Sequence, residues 1–462
     1  MSLFWAFLTM TKLQWASLPE QLWTTALFAI CCLPLILYFY HPHFQIPLVP
    51  MWGFGYFTMF GMPMLSAEES WVDFSLIPKE AVTGALGLIS LGACACLLTC
   101  YTPLGQWVET LTPRIRLPWE AHRAPKTGVL LTLVGLAIYH YRLTSTLIPE
   151  LQQFLYIGAQ FSTVGMLTLF LLQLRGGLST KLKFFLWGFA LPVQLVYSLG
   201  TGALWTVIRT VSPLMFCYTA ERHRIPWKWS LVFTVCLIPF LGIKHEYRSY
   251  AWGGEGALAD ASPFERGVAF LQLTTERLAE GGVETYTVAA ETAESRVNHL
   301  QLMIHTQEMT PYQVPYWRGE TYQTLLWTFV PRFLYPNKPT KTLGNEFGHR
   351  YDIIAEEDTW TSINLPHQVI EMFVNFGTGG VLIGMALLGF VYRAILAFLS
   401  RPDAGERAII IGCALLGNLL SLDSDFSLVF GGLLYYVLAM VAITRFLQPI
   451  EPLPPQVQAI HP

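Results

Sequence analysis

Long apolar runs separated by short polar breaks are the first pattern along this chain. Runs near the 20 or so residues of helix that cross a bilayer core fall at about 21–40, 46–64, 81–101, 127–145, 151–174, 184–201, 203–220, 229–243, 379–399, 405–421 and 426–446. They predict an all-α polytopic membrane protein with about eleven transmembrane helices. Residues 1–20 are apolar but broken by Thr11, Lys12 and Pro19, with no basic stretch before them. This reads as an interfacial helix rather than a cleaved signal peptide.

Residues 244–365 are polar enough to leave the membrane and too long for a plain loop. Apolar positions at Phe264, Val268 and Leu271 predict a helix over 263–279. Val297, Leu300, Met303 and Ile304 predict another over 288–309, and Gly253-Gly254 and Gly281-Gly282 mark the turns. No alternating strand pattern occurs, so the segment reads as a helical cap. The chain thus divides into an N-terminal bundle (1–243), the cap (244–365), C-terminal membrane helices (366–448) and a Pro-rich tail (449–462).

Composition supports a lipid environment. Charged residues make up 13% and hydrophobic residues 53%, against roughly 25% charged in soluble domains. This excludes a disordered chain and a nucleic-acid binder working through a basic surface. Basic residues alternate from loop to loop: Arg114, Arg116, Arg123 and Lys126, then Arg175, Lys181 and Lys183, then Arg222, Arg224 and Lys228, and later Arg393, Arg401, Arg407 and Arg445. Such residues collect on the cytoplasmic side, which puts the cap and the acidic loops outside and the C-terminus inside. All eight cysteines lie in or beside apolar runs, so the cap carries neither a disulfide nor a cysteine zinc site.

Candidate chemistry concentrates in the cap and the span after it. The cap is acidic overall yet presents Arg248, Arg296, Arg318, Arg332 and Lys338 singly. Isolated arginines suit one phosphate-bearing ligand, because guanidinium makes a planar two-pronged contact with phosphate oxygens. Ordinary ion-paired surface residues are the alternative. Pro331, Pro336 and Pro339 stiffen the backbone around Arg332 and Lys338. After Pro366, His367, Glu371 and Asn375 recur every four residues and share one helix face at the outer membrane boundary. A carboxylate that is partly desolvated there could serve as a base; capping or ion pairing is the alternative. His367 and Glu371 lack a third metal ligand at credible spacing. Gly380 and Gly384 read as packing. Arg209 is the one basic residue well inside a span, where a charge usually faces a cavity or a partner. His140, Tyr141 and Arg142 read as interface anchors.

In order, the chain carries Lys244 to Arg248, Arg296, Gly319-Glu320-Thr321-Tyr322, Phe329-Val330-Pro331-Arg332, Pro336-Asn337-Lys338-Pro339, Gly344-Asn345-Glu346-Phe347-Gly348, Asn364 and Glu371-Met372-Phe373-Val374-Asn375-Phe376-Gly377. Over about residues 240–400 this resembles the O-antigen polymerase (Wzy-like) family, in its exopolysaccharide and exosortase-associated branch. The resemblance implies a GT-C-like glycosyltransferase in the bacterial inner membrane with its cap in the periplasm. Such an enzyme joins oligosaccharide repeat units carried on undecaprenyl diphosphate, without metal or cofactor, beside a flippase and a chain-length regulator. It implies that Glu371, Arg332 and Arg248 are catalytic. Arg296, Lys338, Arg318, Tyr322, Asn364, His367, Asn375 and Arg209 would bind substrate. Phe373 departs from the Glu-x-Tyr pattern of that family. A ligase of the same fold and a lipid-linked oligosaccharide transporter are the rival readings.

Overall fold

The computed structural model describes residues 11–40, 44–66, 79–144, 149–252, 258, 260–282, 284–287, 289, 298–328, 330, 335, 343–358 and 363–448. Regular structure within them is helical, with no strand among the described residues. The helices are α1 (Leu18–Tyr40), α2 (Leu48–Phe60), α3 (Met62–Ser66), α4 (Lys79–Tyr101), α5 (Pro103–Leu111), α6 (Ala124–Thr144), α7 (Pro149–Leu174), α8 (Thr180–Gly200), α9 (Leu204–Arg222), α10 (Trp227–Trp252), α11 (Pro263–Gly281), α12 (His299–Met309), α13 (Glu320–Thr328), α14 (Leu343–Arg350), α15 (Gln368–Leu399), α16 (Glu406–Leu419), α17 (Phe426–Phe430) and α18 (Leu433–Thr444).

Seven helical stretches among the described residues are long and apolar enough to cross a membrane: α1, α4, α7, α8, α10, α15 and the stretch from α17 through α18. The other four predicted spans fall on α2, α6, α9 and α16. Of these, α2 has 13 residues and α16 has 14, short of a full crossing. Helix α8 contains a π-helical turn at Phe185–Ala190.

Where helices pack in lipid, small residues let backbones approach closely. Helices α6 and α7 show this: a Cβ on Gly135 would lie 1.9 Å from the Ser162 nitrogen, and one on Gly165 would lie 2.5 Å from the Thr132 nitrogen. Helix α4 runs against α15, where Thr99 donates to the Ala386 carbonyl at 2.7 Å.

In the cap, α11 starts with a capping box. Glu265 N–H donates to Ser262 Oγ, and Ser262 N–H donates to the Glu265 carboxylate. This reciprocal pair satisfies two of the amides that a helix start leaves open. The same amide donation holds the Glu265 carboxyl below its ordinary value. Helix α11 lies on α8 through two glycines, Gly200 against the Pro263 carbonyl and Gly267 against the Val196 carbonyl. Of the predicted 288–309 helix, the structure places α12 over His299–Met309, and 290–297 lie outside the described residues.

The largest departure from the sequence reading is in α15. A straight helix was expected to carry His367, Glu371 and Asn375 into the ninth span. Instead Gly377 has φ 65° and ψ −155°, which interrupts the helix. A Cβ on Gly380 would lie 2.7 Å from the Met372 carbonyl, and one on Gly384 would lie 2.6 Å from the Met372 sulfur. Along a straight helix, residues eight and twelve apart are about 12 and 18 Å apart. These contacts therefore mean that 368–376 folds back beside the start of the span. Gly380 and Gly384 do serve packing, but they receive the chain's own preceding segment. The returning segment is buried from Gln368 through Asn375, which is where non-spanning backbone is tolerated at membrane depth.

Candidate functional site

Two places gather the polar residues singled out in the sequence. The first is the joint between the cap and the folded-back segment. Asn375 Oδ1 accepts from Gly319 N–H at 2.8 Å, while its Nδ2 donates to Thr321 Oγ1 at 2.9 Å and to the Glu371 carbonyl at 2.8 Å. Backbone bonds run alongside, from Trp317 N–H to the Val374 carbonyl at 2.9 Å and from Arg318 N–H to the Asn375 carbonyl at 3.2 Å. Asn375 is thus committed to holding the 317–321 turn and is 1% exposed. Arg318 sits in that turn at φ 52° with an exposed side chain.

Glu371 is fully buried, and its Oε2 accepts from Phe426 N–H at 2.6 Å, at the start of α17. Asp425, 3% exposed, caps the same helix by accepting from Leu428 N–H at 2.9 Å. The partly desolvated boundary expected for Glu371 is therefore corrected to a fully buried setting, because folding back at Gly377 carries its helix face into the core. Tyr322 stacks on Phe376 with ring centroids 6.1 Å apart and meets Phe426 edge-on. Burial, and then the Glu371 and Asp425 carboxylates, push its phenol above the ordinary value.

His367 caps the returning helix: its Nδ1 accepts from Val369 N–H at 3.1 Å. Its ring is enclosed by Phe60, Tyr56 and His299, with centroids at 4.8, 5.3 and 6.3 Å. Burial, and then His299, hold its imidazole well below the usual histidine value. Asn364 is exposed, and its backbone packs against Gly344. Arg350, which the sequence reading passed over, lies over the Trp317 ring at 4.1 Å and pairs with Glu346 and Glu320, so it braces the cap.

The second place is a cavity of about 300 Å³ between α6, α7, α8, α9 and α16. Arg209 lines it and donates to the Tyr156 hydroxyl. Arg142 lines it too, with its guanidinium 4.7 Å from the centroid of the Tyr156 ring, and Arg209 is 5.5 Å from the same centroid. One tyrosine ring therefore keeps two cations in one space. Ser198, Thr201, Thr206 and Thr210 supply a wall of hydroxyls, with Ser198 and Thr210 3.0 Å apart. Gln194, 7% exposed, lines the cavity and its Oε1 has no hydrogen-bond partner. No Asp or Glu is among the described residues that line it. The Thr201, Thr206 and Thr210 hydroxyls donate to backbone carbonyls, so the two guanidiniums and the open Gln194 acceptor are the polar groups left to meet a ligand.

Arg248 reaches the rim of this cavity. Its Nε donates at 3.1 Å to the carbonyl of Gly202, the neighbour of the lining residue Thr201. Arg248 is thus tied to the turn that leads into α9, the helix that carries Arg209. Arg142, read from sequence as an interface anchor, lines this cavity beside Arg209. Nothing in the spacing of Arg142, Tyr156, Gln194 and Arg209 linked them; only helix packing does. Arg296, Arg332 and Lys338 lie outside the described residues.

No curated protein and no solved structure matched the chain. Residues 114–451, which include both places just described, match the family described as a domain of unknown function (DUF8712). As that match spans about three quarters of the sequence, the chain belongs to the DUF8712 family.

Proposed function

We propose that the protein is a membrane glycosyltransferase that joins oligosaccharide repeat units carried on undecaprenyl diphosphate, on the cap side of the bilayer. The observation that carries this reading is the cavity holding Arg209 and Arg142, with no Asp or Glu among the described residues lining it and Arg248 bonded to a carbonyl beside it. A glycosyl diphosphate needs fixed cations at the leaving group and hydroxyl-matching groups at the sugar. The two arginines supply the cations, and Gln194 Oε1 is the acceptor open to a sugar hydroxyl.

In this reading the growing chain on its lipid diphosphate is the donor. A sugar hydroxyl of the incoming unit attacks the anomeric carbon, the bond to the diphosphate oxygen breaks, and the hydroxyl proton leaves to an acceptor. Negative charge grows on the departing oxygen. Fixed guanidiniums in a site that excludes water stabilise that charge as it develops. Arg332, Arg296 and Lys338 complete the basic set in the expectation from sequence. Glu371, as a buried strut of the joint, positions the cap; it does not line this cavity. The bacterial inner membrane, about eleven membrane-embedded helices and a periplasmic cap belong to the same proposal.

Loss of one comparable stabiliser typically lowers rate by about 10²–10³. Arg209→Gln and Arg142→Gln are each expected to shorten or abolish polymer while the protein stays in the membrane at normal level. Polymer of unchanged length and amount in both variants refutes the assignment. One observation favours a transporter instead: broken helices near a charged site are a transporter device, and α15 breaks at Gly377. Purified protein in vesicles separates the two. Chain growth from supplied lipid-linked units supports the enzyme, and movement of those units between leaflets without growth supports the transporter.

A further inference from the structure

At the far end of α15 from Gly377 lies a second cavity, of about 490 Å³, bounded by α1, α2, α5 and the turn after α15. One side is apolar, with Leu37, Ile46 and Leu396. The other holds Arg393 and Arg401, which are 9% and 7% exposed. Arg393 lies 4.8 Å from the Phe44 ring centroid, donates to the Cys100 carbonyl at 3.2 Å and pairs with Glu109. Arg401 is less well held. Its Nε is 3.5 Å from Asp403, whose side chain is 51% exposed and is also 3.8 Å from Arg116. The Nη2 of Arg401 is buried without a hydrogen-bond partner.

A guanidinium N–H kept from water without an acceptor costs free energy that a bound acceptor would recover. We infer that this cavity binds the phosphate of an anionic phospholipid, with the phosphate on Arg401 and Arg393 and an acyl chain along the apolar side. Three features select this ligand. The planar guanidinium fork matches phosphate oxygens. The apolar wall, which a bare ion would leave uncovered, suits a hydrocarbon chain, and basic pockets between membrane helices are known homes for acidic headgroups. The two carboxylates, Glu109 and Asp403, balance the two arginines, so a singly charged phosphodiester fits better than a dianion. The site is independent of the proposed reaction, since none of its residues lines the Arg209 cavity.

The test is native mass spectrometry of the full chain in neutral detergent, with phosphatidylglycerol and phosphatidylcholine of the same acyl chains. Wild-type protein should keep one phosphatidylglycerol per chain, with about tenfold preference over phosphatidylcholine. Arg401→Gln should lower retention about tenfold, in keeping with a charge-assisted contact. Gln106→Glu changes an exposed lining position, leaves the fold in place and should also weaken retention by adding a negative charge at the mouth. It decides the matter if Arg401→Gln does not fold. Equal retention of the two lipids overturns the inference, as does undiminished retention in folded variants. Displacement of the lipid by millimolar inorganic phosphate also overturns it, by assigning the site to a soluble anion.

Discussion

Replacing Gly377 by alanine tests the fold-back of α15 most directly. Its backbone, at φ 65° and ψ −155°, lies in a region used essentially only by glycine, and a side chain there costs about 1–3 kcal/mol. A new Cβ would also lie 2.8 Å from the Tyr316 hydroxyl oxygen, and overpacking of this kind costs about 1–3 kcal/mol. Gly377→Ala is therefore expected to destabilise by about 2–6 kcal/mol. The two contributions separate in a double variant. Tyr316→Phe removes the hydroxyl and relieves much of the clash, but the torsional part stays. The expected order of thermal midpoints in detergent is wild type, then Gly377→Ala in the Tyr316→Phe background, then Gly377→Ala alone. The joint should loosen with the midpoint, because Trp317 and Arg318 bond to backbone at Val374 and Asn375. Protease cleavage near Arg318 should therefore rise in the same order. A midpoint for Gly377→Ala within error of wild type would refute the reversal, since a straight helix accepts alanine readily.

Asn375→Ala removes an acceptor from Gly319 and a donor from Thr321, and each buried polar group left unpaired costs about 1–3 kcal/mol. It should lower the midpoint and raise cleavage near Arg318; an unchanged cap would show that Asn375 does not hold it. His367 gives a pH signature. Its folded pKa is depressed, so the unfolded chain binds the extra proton first as pH falls. Stability is whole above the unfolded value of about 6.5 and falls as pH drops below it, by at most about tenfold in the folding ratio per unit. His367→Gln should flatten that dependence between pH 7 and 5, and equal slopes in the two proteins would remove His367 as its source. Gly135→Val should sharply reduce the yield of folded protein in membranes, because α6 and α7 cannot separate to admit it; normal yield would contradict their close approach. Tyr156→Phe should weaken polymer formation less than Arg209→Gln, since it keeps both guanidiniums and loses one hydrogen bond. Equal loss in polymer assays would give the hydroxyl a larger part.

The apolar runs by themselves determined the class of this protein. A segment of about 20 apolar residues has one stable setting, a lipid-facing or buried helix, so run length and charge content are enough to read it. Local signals also held: the helical spacing of Phe264, Val268 and Leu271 became α11, and Gly282 of the expected Gly281-Gly282 turn, at φ 48°, ended it. Arg209 stood out because a charge inside a span needs a partner. What the sequence does not carry is which partner. The cavity takes Arg142 from α6, Tyr156 from α7, Gln194 from α8 and Arg209 from α9, and these meet only through helix packing. The four-residue spacing of His367, Glu371 and Asn375 did put them on one face, but spacing says nothing about where that face points. Tertiary structure decided this through one glycine, because the backbone conformation at Gly377 turns the helix back on itself. That reversal takes the face from the expected membrane boundary into the core.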